Sequence, residues 1–312
     1  TLLTAFIPSL VSATSYSTIP YSLLVSLPLE NSFTVLGFVG LALKAGFEKH
    51  YKIETYDKFI ESKSTSDLAD MVAECDVIFV CVPTPMNKDG SCHTDIVESV
   101  IKEINKWSYA YWGNIDRKPT IVIKSTVSPG TTERLHKKYK SVDVIFNPEF
   151  LTEATFIEDF KNQNRIILGG IRRGTNKLRQ VYSKVFPNTT IVKTGAKYAE
   201  MVKYFTNCFL STKVSFANEM KQICDGLDID YDKVVEYATY DERLGKSHWA
   251  VPGPDGDYGF GGHCLPKDLN ALISVAYHLK LEPTILNAVN KVNLLVRENR
   301  DWEDMKGRAV IE

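Results

Sequence analysis

The residues best suited to chemistry lie in Gly259-Phe260-Gly261-Gly262-His263-Cys264-Leu265-Pro266-Lys267-Asp268, where a cysteine follows glycines and precedes a predicted helix. Glycines there let a substrate come close to the backbone. A helix start and the nearby Lys267 favour the thiolate, which is the nucleophilic form of cysteine. Cys75, Cys81, Cys208 and Cys224 lie in apolar stretches instead and read as buried structural thiols. His263 has the chemistry of a general base or a metal ligand, but no second ligand is spaced near it, so no metal centre is expected. Lys203 and Asn207 stand four apart and share one helix face among the apolar residues Met201, Val202, Tyr204, Phe205 and Phe209. A lysine drawn inward there needs an anionic partner; a lysine snorkelling at the helix edge is the other reading.

A second group of residues suits a dinucleotide. Gly37-Phe38-Val39-Gly40 follows a β-type run and opens a helix, and Asp57 closes the next strand. A helix N-terminus with bare glycine backbone accepts a pyrophosphate, and an acid about 20 residues on binds ribose hydroxyls, which favours NAD over NADP. The full pattern is G-x-G-x-x-G, and Val35 occupies the place of its first glycine. Pro83-Thr84-Pro85, Ser125-Thr126 and Asn147-Pro148-Glu149-Phe150 each follow a predicted strand. Taken singly they are ordinary turns. Together they fall at the carboxyl edge of a parallel sheet, where ligands bind.

The elements that must position these residues alternate. Strands are predicted at 33–36, 52–56, 76–82, 120–124, 143–146, 165–169 and 190–192, and helices at 39–50, 67–74, 94–107 and 131–139. Asp76 to Val82 is a near-continuous apolar run, as for a strand covered on both faces. This alternation predicts an α/β fold, a Rossmann-like doubly wound parallel sheet over residues 31–195. Residues 196–225 contain neither proline nor glycine, so one connecting helix of about 45 Å is expected. Further helices at 232–238, 269–279 and 283–300 complete a helical domain over 196–300, with a short tail at 301–312.

Composition excludes several classes. With 44% apolar and 24% charged residues and a net charge of −1, the chain is of soluble globular type, with no general attraction to nucleic acid or membrane. The six cysteines form no CxxC pair, so reduced thiols in the cytoplasm are expected. No apolar run is long enough to span a bilayer. Residues 1–29 carry no charge and contain Pro8, Pro20 and Pro28. A basic n-region is missing, so a poorly ordered extension over 1–30 is expected rather than a targeting segment.

These segments together resemble the UDP-glucose/GDP-mannose dehydrogenase family. The matching stretches are GFVG (37–40), VPTP (82–85), KSTVSPGTT (124–132), NPEFLTE (147–153), AEMVKYFTNCFLSTKVSFANE (199–219), DERLG (241–245) and GFGGHCLPKD (259–268). The resemblance implies a Rossmann-like NAD domain, a long helix and a helical domain, usually followed by a third domain, whose opening Lys306-Gly307-Arg308-Ala309-Val310 resembles. It implies NAD-dependent oxidation of a nucleotide-sugar alcohol to the acid, with two NAD consumed. Cys264 would be the nucleophile, forming a thiohemiacetal and then a thioester. Lys203 and Asn207 would stabilise the oxyanion. Asp268 and Thr126 would position water, and Glu149 would assist hydrolysis. Gly37, Phe38, Val39, Gly40, Asp57, Pro83, Thr84, Thr126, Glu153 and Lys267 would lie at the cofactor. Phe150, Leu151, Phe260 and Gly261 would hold the substrate together with Lys203 and Asn207, and Arg243 would reach it, in some members across a dimer. A homodimer through the long helix is implied in the same way.

Two other readings stay open. One is a fold that binds or assembles without turnover, given Val35 and an incomplete third domain. The other is a two-electron hydroxyacid or 6-phosphogluconate-type dehydrogenase, which needs no cysteine and so leaves GFGGHC without a purpose.

Overall fold

The computed structural model describes residues 24–27, 37–58, 62, 64–113 and 117–311. Its order is β1 (Leu24–Leu27), α1 (Phe38–Phe47), β2 (Glu54–Tyr56), α2 (Leu68–Glu74), β3 (Val77–Val80), α3 (Asp95–Trp112), β4 (Thr120–Ile123), α4 (Thr131–Lys138), β5 (Asp143–Phe146), α5 (Phe156–Lys161), β6 (Arg165–Gly170), α6 (Arg172–Val185) and β7 (Thr190–Thr194). The helical part follows: α7 (Ala196–Gly226), α8 (Tyr231–Ala238), α9 (Leu265–His278), α10 (Thr284–Val296) and α11 (Asp301–Asp304).

One seven-stranded sheet runs β2-β1-β3-β4-β5-β6-β7. β3, β4 and β5 are parallel neighbours, which brings their carboxyl ends, and the turns after them, to one edge. Their alternate side chains feed two cores. Ile78, Val80, Ile121 and Ile123 pack under α2, α3 and α4 through Met71, Ile101 and Leu135. Val77, Phe79, Val122 and Ile145 pack on the other face under α1, α5 and α6 through Leu43, Phe160 and Tyr182. Burial on both faces explains why these strands read as unbroken apolar runs.

The sheet is mixed rather than wholly parallel. β1 pairs antiparallel with both β2 and β3, and β5 pairs antiparallel with β6. β1 comes from the chargeless segment expected to be poorly ordered; its place is set by ladder hydrogen bonds to distant strands, which local composition does not encode. The strand expected at 33–36 lies outside the described residues, as does Val35.

Three helices were not anticipated. α6 buries Leu178, Val181 and Tyr182, a narrow apolar stripe in a mostly polar segment with Gly174 in its first turn, which hides the helical period. α5 and α11 are too short to show a period. The helix expected over 283–300 stops at Val296, because Arg297 turns inward, 2% exposed, to meet Asp255 at 2.7 Å, Asp257 at 3.3 Å and Asp301 at 3.5 Å.

The long helix is present as α7, about 46 Å at the usual rise. It docks on the sheet domain through Glu200, whose carboxylate accepts hydrogen bonds from the N–H groups of Gly130 (2.6 Å) and Thr132 (2.8 Å) and so caps α4 from outside. Among the described residues no helix is long and apolar enough to cross a membrane.

Candidate active site

A cleft of about 370 Å³ opens along the carboxyl edge of β3, β4 and β5. Its walls are Gly37, Phe38 and Val39 at the start of α1, Pro83 and Thr84 after β3, Ser125 and Thr126 after β4, and Glu149 after β5. The helical part closes it with His263, Cys264 and Lys267. Cys264 is the N-cap residue of α9 and is partly exposed, so its sulfur can be reached from the cleft.

The glycines before it are required by geometry. Gly259 (φ +65°) and Gly262 (φ +71°) are in the left-handed region. A side chain on Gly261 would collide with Arg297 and Asp301. The loop is pinned by Asn293, whose Oδ1 accepts from Phe260 N–H (2.7 Å) and whose Nδ2 donates to Phe260 O (2.9 Å).

Beneath the cleft floor two buried charge clusters face each other. Lys203 Nζ donates to Glu149 Oε1 (2.8 Å) and Glu149 O (2.9 Å), and Glu149 Oε2 accepts from Leu151 N–H (2.8 Å). Burial alone would push the Glu149 carboxyl up, but Lys203 and the Leu151 amide bring it below its ordinary value. Burial likewise opposes the charge on Lys203, and Glu149, Asp268 and Cys264 outweigh it, so its affinity for a proton rises. Lys203 therefore feels the Cys264 sulfur electrostatically. In the second cluster Asp268 accepts from Asn207 Nδ2 (2.6 Å) and Lys267 Nζ (2.5 Å). The lysine on α7 has the anionic partner that its burial demands.

Lys124 is a further buried cation, with Nζ donating to Asn147 Oδ1 (3.0 Å) and Pro148 O (3.3 Å). Burial pushes it down to about 8 against the pull of Cys81 and Glu149. It was legible only as the polar end of the strand run Thr120 to Lys124. Lys124 and Glu149 also line a second cavity of about 270 Å³, shared with Phe150, Leu151 and Arg165.

His263 is the residue that spacing undervalued. Its Nδ1 lies 3.3 Å from Glu153 Oε2, and its ring meets Phe38 edge-on at 5.5 Å. Burial disfavours its charge, but hydrogen bonding to Cys264 and Glu153 pushes it up to about 9. Glu153, bonded to His263 and Arg308, falls to about 2. Because the folded-state value of His263 lies above the ordinary 6.5, its proton stabilises the fold fully below that pH, and the contribution is lost as pH rises through about 9. The melting temperature is expected to fall across that window in the parent and to fall less in His263→Gln. Equal slopes for the two proteins would contradict the pairing.

Not every candidate joins the cleft. Gly40 is buried within α1. Asp57 is buried after β2, where its N–H donates to Ser64 Oγ (2.9 Å), and is not part of the cleft wall. Phe260 is buried in the helical core, and Gly261 lies against Arg297. Asn207 and Asp268 sit just below the floor. Arg243 has its side chain 88% exposed and pairs with its own Asp241. Among the described residues no group of His, Cys, Asp and Glu could hold a metal ion.

The cleft thus brings together the start of α1, the turns after β3, β4 and β5, and Cys264 at the N-cap of α9, above the buried Lys203–Glu149 and Asn207–Asp268 pairs. Residues 36–186 match the NAD binding domain of the UDP-glucose/GDP-mannose dehydrogenase family, and residues 197–294 match its central domain. The chain belongs to that family. It is 31% identical to the UDP-glucose 6-dehydrogenase TuaD of Bacillus subtilis over 79% of this chain and 53% of that protein. It is 34% identical to GDP-mannose 6-dehydrogenase of Pseudomonas savastanoi pv. phaseolicola over 74% of this chain and 53% of that one. The solved UDP-glucose dehydrogenase of Pyrobaculum islandicum superposes with a TM-score of 0.71 at 31% identity, covering 83% of this chain and 66% of that one. The chain spans about half the length of the curated relatives it matches.

The cleft fits the cofactor that this domain binds. A side chain at Gly37 would meet nothing within 4 Å, so the backbone before α1 is open to a phosphate. The first N–H groups of α1 are available as donors, and Lys124, Lys267 and Arg308 add positive charge around the same space.

Proposed function

We propose that this chain carries the catalytic half of an NAD-dependent nucleotide-sugar 6-dehydrogenase, which oxidises a primary alcohol to a carboxylate through a covalent adduct on Cys264. The observation that carries this reading is the shared cleft: the Cys264 sulfur opens into the space bounded by Glu149, Thr126 and the Gly37–Val39 turn.

Gly37, Phe38, Val39, Pro83, Thr84, Thr126 and Lys267 would hold NAD, with Glu153 at the mouth; two NAD molecules, bound in turn, would each accept one hydride. The side chains do the rest. Lys203 and Asn207 offer fixed donors to the oxyanion that develops on the substrate oxygen, worth several kcal/mol in a site shielded from water. The Cys264 thiolate adds to the aldehyde carbon, forming a C–S bond, and the oxygen takes a proton to give a thiohemiacetal. Oxidation of that carbon leaves a thioester. Asp268 and Thr126 hold the water that relays protons. Glu149 assists attack of water on the thioester carbon, and the C–S bond breaks to release the acid and restore the thiol. A covalent adduct keeps a reactive aldehyde from escaping between two oxidations at one site.

The backbone at Phe150 and Leu151 and the Phe260-Gly261 loop would hold the substrate. Tyr198, Phe205, Phe209, Phe216 and Ile223 are exposed along α7, an apolar stripe that suits a homodimer through that helix. Arg243 would then serve the partner's site. Six free thiols suit a reducing compartment such as the cytoplasm.

A screen of UDP-glucose, UDP-N-acetyl sugars and GDP-mannose with NAD tests the proposal. NADH and sugar acid are expected in a ratio of about two to one, the stoichiometry of a four-electron oxidation passing through a covalent intermediate. One NADH per sugar oxidised, with a carbonyl product and no acid, would point to a two-electron dehydrogenase. NAD binding without turnover of any sugar would mark a fold that binds but does not react.

A further inference from the structure

We infer that Arg308, delivered by the segment after α11, is a cofactor-site residue whose guanidinium grips the dinucleotide's diphosphate. This rests on NAD occupying the cleft as proposed above, and adds a contact that neither the glycine turn nor the family's matched domains supply, since those matches end at residue 294.

Arg308 is seated by backbone, not by chance contact. Met86 N–H donates to Ala309 O (2.7 Å) and Ile311 N–H donates to Met86 O (3.0 Å), so Val310 pairs with Met86 as a short parallel bridge. That fixes the segment on the turn following β3, at the sheet edge where the cleft opens. Arg308 lines this cleft together with Phe38 and Val39. Its Nη2 donates to Glu153 Oε1 (2.5 Å), Glu153 reaches His263, and His263 meets Phe38, the first residue of α1. The chain of contacts leads to the helix end where a diphosphate binds.

The other cations of the cleft each have a buried partner of their own. Lys124 is bonded to Asn147 and Pro148, and Lys267 to Asp268. Arg308 has a five-donor fork, with one nitrogen on Glu153 and a side chain 35% exposed. A planar fork matches two phosphate oxygens at once. Glu153 is shared between Arg308 and His263, so Arg308 is not its only counter-charge and keeps donors to spare. The sequence is in keeping with such a contact: Val35 stands where the fingerprint pattern has its first glycine.

Calorimetric titration of the parent, Arg308→Ala and Arg308→Lys with NAD, ADP-ribose and adenosine tests the inference, with melting temperatures measured in parallel. Arg308→Ala is expected to weaken NAD and ADP-ribose by about tenfold and to leave adenosine, which lacks the diphosphate, unchanged. Arg308→Lys should recover part of the loss, because it keeps the charge but not the fork. Parental affinity for NAD in Arg308→Ala would overturn the inference while leaving the proposed function standing. An equal loss for adenosine would also overturn it, since it would mean a distorted pocket. A parent that binds no NAD would remove both.

Discussion

Cys264→Ser should form sugar acid at a rate lower by a factor on the order of 10³ or more, with its fold intact. Serine has nearly the shape of cysteine, and the helix it would cap is held by residues below it: Leu269 and Ile273 of α9 are buried with Val214 and Val289. Stability therefore has no reason to change much. Chemistry does. A hydroxyl at that cap is not ionised at neutral pH and makes a poor trap for an aldehyde, and an ester-forming route has a worse leaving group than a thiolate. On the proposed reading the first oxidation draws on Lys203 and Asn207, not on the sulfur, and survives in part. The variant should release free aldehyde, which a carbonyl reagent captures, alongside one NADH per turnover. Acid formation at the parental rate would remove Cys264 from the mechanism, and a parallel loss of the first oxidation would mean that the substitution disturbs binding.

How far the sequence could carry this can be read from particular elements. β3, β4 and β5 were legible because burial on both faces leaves an unmistakable apolar run. α7 was legible because a 31-residue helix tolerates neither proline nor glycine in its interior. β1 was not, because its partners are strands distant in sequence, joined through backbone bonds indifferent to side chain. α6 was hidden by its polar face. The site divides in the same way. Residues fixed by local context, such as Cys264 at a cap and Thr126 after a strand, were legible. Partnerships across elements were not: helical spacing marked Lys203 as needing an anion but could not single out Glu149, and nothing local linked Arg308 to Glu153. Asp57 shows the converse. A sound local pattern set it at the end of a strand, yet the fold leaves it outside the cleft wall.

The Lys203–Glu149 pair carries the other large effect, on stability and turnover together. Their side chains are 4% and 8% exposed, with nitrogen and oxygen 2.8 Å apart. Removing one partner leaves the other charge buried without compensation, which typically costs about 3–5 kcal/mol. Lys203→Met is therefore expected to lower stability by that amount in denaturant titration and, with the proposed oxyanion donor gone, to abolish turnover. The double variant Lys203→Met/Glu149→Gln should regain most of the stability, because neither site then holds an orphan charge, and none of the activity. That split separates the structural work of the pair from its chemical work. The pH dependence follows from the same contact. Glu149 lies below its ordinary 4.5, so its contribution is present above that pH and is lost as pH falls through the depressed folded value. Lys203 lies above its ordinary 10.5, so its contribution is complete below that pH and is lost as pH rises through the raised one. The parent's advantage over the double variant should accordingly be flat from about pH 5 to 10 and shrink outside it. If the double variant stays as unstable as Lys203→Met, the cost comes from packing around the lysine stem, and the pairing of charges is not what holds Lys203 beneath the cleft.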